Sequence, residues 1–546
     1  MVKNLLAALS SKQNSILSGA SILMVAVFAS KFLGLIRDRL LVHNFSSSQA
    51  AIFFAAFRLP DLLFQLLIFG ALSVAFIPVF TEHLSKKGEK DAFDFAANIL
   101  NLSLVLFGAV ALICFVFIGP INSIFVPGFA GAQRETTNYL TQIILFGQMI
   151  LVVGAFFVGI AQSYQRFIIP ALAPLFYNLG IVIGILLAPV FGIAGPAYGV
   201  VLGALMHVLV QLPLVRSLGF RYRFSFNFLN SGVREVVKLM SFRNIGLAVE
   251  QLNETVGIAL ASLASVNGSA ITILTFAQHL QTVPIGLFGA TIAQAALPVL
   301  SKEQAQNDKE SFKQTLLTTM HQILFLTLPA TAILIVLRIP VVRLVFGASQ
   351  FTWTDTVLTG RTVAFLSLGL AAQSVILLFV RGFYALKDTK SPVLISVFTV
   401  LLNVFLSALF ILVLHLQVWS LGLSYAISSV ASGLMLMALL NKKVGGFSMS
   451  RLLIPAIKML VATSILAVAL YIPIKALDKL VFDTTKTLNL FLLTGIASIF
   501  GILVYLGLVW WLRVRELDTY VEMIKKLYRL QFKVKSTEIP SDATSV

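Results

Sequence analysis

Runs of about twenty apolar residues recur along this chain from Ile16 to Leu512, and no other feature limits its fold so tightly. Each is long enough to cross a hydrocarbon core of roughly 30 Å. In that solvent the backbone must satisfy its own hydrogen bonds, so such segments become helices. Only 11% of the 546 residues are charged and 58% are hydrophobic, whereas a soluble chain carries about 25% charged residues. The chain reads as an all-α polytopic membrane protein.

The runs fall near 16–36, 51–80, 93–118, 136–163, 168–190, 194–215, 244–266, 270–300, 315–337, 357–386, 391–414, 418–440, 452–474 and 488–512, about 14 transmembrane helices. The first is too long for a signal-peptide core. Arg37, Asp38 and Arg39 follow it in place of a small-residue cleavage site, so it reads as a retained span. Loop charge gives an orientation. With a cytoplasmic N-terminus, 27 of the 40 Lys and Arg residues lie in inside segments and nine outside, as the positive-inside rule requires. Both termini are therefore expected in the cytoplasm. The net charge of +18 follows from the same bias and calls for no nucleic-acid partner. Cys114 is the single cysteine and the six histidines are scattered, so neither a disulfide framework nor a metal centre is expected.

Two halves echo one another. "AFIPVFTEHLSKKGEKDAF" (75–93) resembles "AALPVLSKEQAQNDKESF" (295–312), and both Pro78/Pro298 and Tyr164/Tyr384 are offset by 220. The repeat relates spans 1–6 to spans 7–12 in the same orientation, a parallel pseudo-repeat of two six-helix lobes around a central cavity where cargo would bind. The expected organisation is an N-terminal lobe (1–215), a cytoplasmic interfacial linker (216–243) with Val233, Val236, Val237 and Met240 on its apolar face, and a C-terminal lobe (244–440). Spans 13 and 14 (441–512) follow and could form a groove for a lipid tail. A basic cytoplasmic tail (513–546) comes last, with Leu517, Val521, Ile524 and Tyr528 on one helical face and a disordered end.

Charges inside a membrane are costly, so each needs a partner, water or a task. Lys31, Gly34 and Asp38 share one face of span 1, with Arg37 beside them. Arg58 and Asp61 lie one turn apart in span 2, around Pro60. Three cations facing a wet cavity suit a phosphate or pyrophosphate group. Equally, Lys31 and Arg37 could snorkel to the surface, and Arg58 could be clamped by Asp61. In span 7, Glu250 and Glu254 share a face and could couple Na+ or H+, although Glu250 could also pair with Arg243. His279, before the break at Pro284, reads as a pH sensor, a cargo contact or a satisfied core histidine. Arg381 and Asp388 flank the end of span 10 as a structural or gating corner first and a ligand second. Pro60, Gly70 and Pro78 let span 2 bend. No Asp/His cluster of a transferase kind is present, so enzymatic chemistry is not expected and no cofactor is implied.

The stretches "GLIRD", "AFRLPDLL", "GALSVAFIPVF", "PALAPLFYNLGIVIG", "GVVLGALMHVLVQLP" and "FYALKDTKSPVLISVFTVLLNV" resemble the MviN/MurJ-type lipid II flippases of the multidrug/oligosaccharidyl-lipid/polysaccharide exporter superfamily. The resemblance runs from about residue 16 to 440. It implies fourteen spans and an undecaprenyl-pyrophosphate-linked peptidoglycan precursor as cargo, moved across the bacterial cytoplasmic membrane by alternating access. Membrane lipids and other cell-wall synthesis proteins are the further partners it implies. It carries a cationic cavity onto Lys31, Arg37 and Arg58, with Ser30 and Gly34 on the same helix, and places His279 where an arginine is usual. The chain departs from the family at Ala51 (usually acidic), Phe64 (often Arg) and Phe69 (often Glu). Another lipid-linked oligosaccharide therefore stays open as cargo. A cation-coupled drug exporter fits an electropositive cavity less well.

Overall fold

The computed structural model describes residues 16–69, 75–227, 231–264, 268–480, 486–522 and 525, and these contain helices and no strand. The first half comprises α1 (Ile16–Asn44), α2 (Ser47–Phe64), α3 (Ile77–Lys86), α4 (Glu89–Val116), α5 (Ile118–Phe125), α6 (Gly131–Ser163), α7 (Ile168–Leu186), α8 (Ala188–Phe191) and α9 (Ala194–Ser217). Then come α10 (Ser231–Leu263), α11 (Ala270–Pro284), α12 (Thr291–Ala305), α13 (Lys309–Val336), α14 (Arg338–Phe346), α15 (Trp353–Ser367), α16 (Leu370–Ala385), α17 (Lys390–Ala408) and α18 (Trp419–Lys443). The chain closes with α19 (Met449–Leu480) and α20 (Thr487–Trp511).

Eleven of the described segments are long and apolar enough to cross a membrane, or twelve when α15 and α16, bent by 43°, count as one span. The expected fourteen are not reached on length and apolarity. Helices α1 and α10 stand where spans 1 and 7 were expected, and both carry polar side chains: Lys31, Arg37 and Asp38 in one, Glu250, Gln251, Asn253 and Glu254 in the other. Regular α-helix gives way to π-helix shortly after two of the prolines. Pro60 lies inside α2 and is followed by a π-helical turn at Gln65–Phe69; Pro284 ends α11 and is followed by one at Ile285–Ala290. A proline deprives the preceding turn of a donor, and the wider π turn absorbs the slack. Gly70 lies outside the described residues. The offset of 220 recurs in the helix pattern: α4 and α13 begin at 89 and 309, α5 and α14 at 118 and 338, and the two π turns at 65 and 285.

The described residues form two compact units. The first holds the chain up to Leu280 together with Val342–Phe365 and Ser396–Ser428. One core within it gathers Phe76, Phe80, Phe95, Phe156 and Phe220, and Val233 and Val236 of α10 pack into it. Here α10 runs unbroken from the expected linker into the expected span. Helices α7 and α9 pack backbone to backbone: a Cβ on Gly180 would stand 2.3 Å from the Gly203 Cα, and one on Gly184 2.3 Å from the Gly195 carbonyl oxygen. Small residues permit such approach, the usual source of helix association in lipid.

The second unit holds Gln281–Val341, Leu366–Ile395 and the chain from Ser429. Helices α19 and α20 pack on each other and on α13 through Met459, Leu466, Ala497, Tyr505 and Phe325. Tyr505 donates its hydroxyl to the Phe325 carbonyl at 3.0 Å. Residues 515–522 are helical; Leu517 joins this core while Val521 is exposed. Ile524 and Tyr528 lie outside the described residues.

Candidate functional site

Arg37, Asp38 and Arg58 do not stand open; each is held by named partners inside the first unit. Near the end of α1, Arg37 Nε and Nη2 donate to Asp38 Oδ1 at 3.0 and 2.8 Å. Its Nη1 donates to Asn178 Oδ1 of α7 at 3.1 Å. Asn178 in turn donates to Ser30 Oγ at 3.3 Å and to the Pro174 carbonyl at 3.1 Å. The other Asp38 oxygen lies 2.7 Å from His279 Nδ1 of α11. Asp38 is 1% exposed, so its charge is balanced by these two neighbours and not by water. An ionised Asp38 requires the proton on Nδ1 and thereby fixes the ring's orientation.

The second cluster is built on α2. Ser46 and Gln49 form a reciprocal capping box at its start, each accepting the other's backbone N–H, at 3.3 and 3.1 Å. Three turns on, Arg58 is buried and donates to four acceptors of α10: Glu254 Oε2 at 2.8 Å, Thr255 Oγ1 at 3.1 Å, and the carbonyl and Oε1 of Gln251 at 2.6 and 2.8 Å. Asp61 Oδ2 stands 3.8 Å from Nη1. Gln251, Glu254 and Thr255 meet one guanidinium because positions i, i+3 and i+4 share a helix face. Pro60 is buried behind Arg58, Glu254 is half-exposed and Glu250 is exposed. Lys31 is exposed, and a Cβ on Gly34 would meet nothing within 4 Å, so this face of α1 borders open space. Arg37 is paired with Asp38, and Arg58 with Glu254 and Asp61.

Arg381 and Asp388 belong to the second unit and to a different task. Arg381 donates to the Ala290 carbonyl at 3.1 Å, at the end of the π turn. Asp388 accepts the backbone N–H groups of Lys390 and Ser391 at 3.1 and 3.0 Å, the Ser391 hydroxyl at 2.6 Å and the Lys443 ammonium. Burial pushes its carboxyl up, but the bonds from Lys443 and Ser391 outweigh this and bring it down to about 2. Asp388 thus caps α17. Of the three departures from the family pattern, Ala51 and Phe64 are buried in α2; Phe69 begins nothing more than the last position of the π turn.

Sequence reasoning missed Asn178, Gln251 and Thr255, ordinary polar residues whose only signal is their place inside apolar helices. It also missed a row of bonds joining the α1–α2 turn to residues 344–356. Arg39 donates to the Leu344 carbonyl at 2.5 Å, in the last turn of α14, where a cation also meets the negative helix end. Ser349 donates to the His43 carbonyl at 2.8 Å, Ser47 to Asp355 at 2.8 Å, and Thr272 to the Ser47 carbonyl at 2.7 Å. A cavity of about 490 Å³ lies there, lined by Ser47, Ser269, Thr352, Asp355 and Gln417; neither Arg37, Arg58 nor His279 borders it. No three His, Cys, Asp or Glu side chains gather at metal-binding spacing among the described residues.

Apolar helices broken by prolines and π turns, with ion pairs bridging them, define a multi-pass membrane protein of the transporter class. The chain belongs to the lipid II flippase MurJ family, whose sequence profile matches residues 44–492. A relative from Bdellovibrio bacteriovorus, named "Probable lipid II flippase MurJ", is 27% identical over 511 residues, covering 91% of this chain and 95% of its own length. One of the same name from Buchnera aphidicola subsp. Baizongia pistaciae is 27% identical over 423 residues, covering 76% and 81%. The solved structure "Lipid II flippase MurJ, inward closed conformation" superposes with a TM-score of 0.74 at 25% identity, covering 89% of this chain and 97% of that one. An inward-facing multidrug transporter of the MATE family shares the fold at a TM-score of 0.63 and 16% identity, covering 76% and 94%.

Proposed function

We propose that this protein flips lipid II, the undecaprenyl-pyrophosphate-linked peptidoglycan precursor, across the bacterial cytoplasmic membrane by alternating access. The observation that carries the reading is a guanidinium pair, Arg37 and Arg58, held among apolar helices of a chain that matches this family over most of its length. A pyrophosphate presents oxygens that a guanidinium fork binds as it binds carboxylate. Asp38, Asp61 and Glu254 then act as place-holders that keep the arginines oriented until cargo arrives. Lys31, exposed on the open face of α1, meets the headgroup first. Both termini lie in the cytoplasm, and the isoprenoid tail stays in lipid along α19 and α20. The driving force is the membrane potential or a coupled cation.

A second reading, another polyprenyl-linked glycan as cargo, is favoured by His279, which stands against Asp38 where the family resemblance implies an arginine. The test is exposure of lipid II on the outer leaflet of bacteria depleted of their own flippase and supplied with this protein. Exposure should be restored by the wild type and lost with Arg37→Ala at equal membrane expression. Absence of exposure with well-expressed wild type refutes lipid II as cargo.

A further inference from the structure

The carboxylate that holds Arg58 comes from α10 and is half-exposed, while the guanidinium it holds is buried. Such an arrangement leaves one side of the pair accessible to a competing anion. We propose that Glu254 is a cargo-displaced latch: a resident carboxylate in the anion position of Arg58 that ties α10 to α2 until a pyrophosphate takes its place. This rests on the reading of an anionic lipid cargo and adds to it a switch residue and a direction of coupling.

Four observations carry it. Four of the five N–H groups of Arg58 donate to Gln251, Glu254 and Thr255 of α10. A cargo oxyanion that takes two N–H groups as a fork must therefore displace at least one of these acceptors. Among them Glu254 is the charged one, and its carboxylate is the group a phosphate oxygen most closely imitates. The residue beside it, Asn253, accepts from Asn403 Nδ2 of α17 at 2.7 Å. When Glu254 lets go, α10 stays fastened to α17, and its polar hold on Arg58 of α2 is reduced to Gln251 and Thr255. Finally, Asp61 lies one turn from Arg58 at 3.8 Å, close enough to orient the guanidinium during the exchange and too far to replace Glu254 as a direct partner.

The thermodynamic consequence is reciprocal: if cargo and Glu254 compete for Arg58, removing the charge of Glu254 must strengthen anion binding, and only through Arg58. Four proteins in lipid nanodiscs decide the matter: wild type, Glu254→Gln, Arg58→Ala and the double variant. The probes are inorganic pyrophosphate and undecaprenyl pyrophosphate, with Kd read by titration. Glu254→Gln should bind both probes about tenfold more tightly than wild type yet flip lipid II more slowly, because the tie that cargo must break is already loose. In the Arg58→Ala background the same substitution should change Kd by less than about twofold, the mark of two residues acting as one unit. No gain in Glu254→Gln, or a gain that survives without Arg58, overturns the latch and leaves Glu254 as an ion-coupling or packing residue. The expected binding pattern with no flipping of lipid II by the wild type upholds the latch and refutes the cargo assignment instead.

Discussion

Asp38 is the residue on which the α1 cluster turns. It is almost wholly buried and serves both Arg37 and His279. Removing a buried carboxylate so placed costs more than the pair contributes, since it leaves Arg37, only 18% exposed, without its counter-charge. Asp38→Asn should cost about 3 kcal/mol, visible as a lower melting temperature in nanodiscs, and should also abolish flipping; an unaltered melting temperature would show that Arg37 finds another counter-charge. The sequence showed that Arg37, Asp38, Arg58 and Glu254 were unusual, because ions within apolar runs are. It could not settle their partners: Asp61, one turn along, is a candidate clamp for Arg58 and does stand 3.8 Å away, but the close partner lies 196 residues on in α10. A helix pattern specifies faces, and the partner of a face is set by packing.

Among the elements, the glycines divide by what they meet. Gly180 abuts the backbone of Gly203, so Gly180→Ala forces α7 and α9 apart and should cost about 2 kcal/mol. Gly34 faces open space, and Gly34→Ala should leave stability unchanged or slightly raised through better helix propensity; thermal melts of the two variants side by side check the contrast. The start of α17 makes a pH prediction. The Asp388 carboxyl is depressed in the folded state, so its contribution is fully present above its ordinary value of 3.8 and is lost as pH falls through about 2. Asp388→Asn should lower stability by about 1 kcal/mol at neutral pH. The gap between variant and wild type should hold from pH 7 down to about 4 and close below that; a gap that widens in acid would contradict the assignment. That regular helix would be disturbed near Pro60 and Pro284 was legible because proline's missing donor is a local fact. The π geometry that follows each was not, since it depends on how the slack is shared with neighbouring helices.

For the molecule, the bonds from Arg39, His43 and Ser47 to residues 344–356 hold one end of the first unit together. Asp355 is buried and accepts from Ser47 Oγ and from the backbone and hydroxyl of Thr352. Asp355→Ala should loosen this end. A cysteine placed at Ala51, which is fully buried one turn beyond Ser47, should then react with a maleimide several-fold faster than in the Asp355 background, with Cys114 replaced by serine in both. Equal rates would mean that the other bonds of the row suffice.

The sequence by itself determined that the chain lives in lipid, which segments are helices, where proline disturbs them and that the halves repeat at an offset of 220. Each of these follows from local physics: the apolar length that lipid demands, the donor that proline lacks, and the pattern common to two stretches. Only the tertiary structure decided that Asp38 meets His279, that Arg58 belongs to α10, and that the α1–α2 turn is fastened to the 344–356 segment. Those pairings join residues hundreds of positions apart. They form because a buried polar or charged group must be satisfied by whichever partner packing brings within reach.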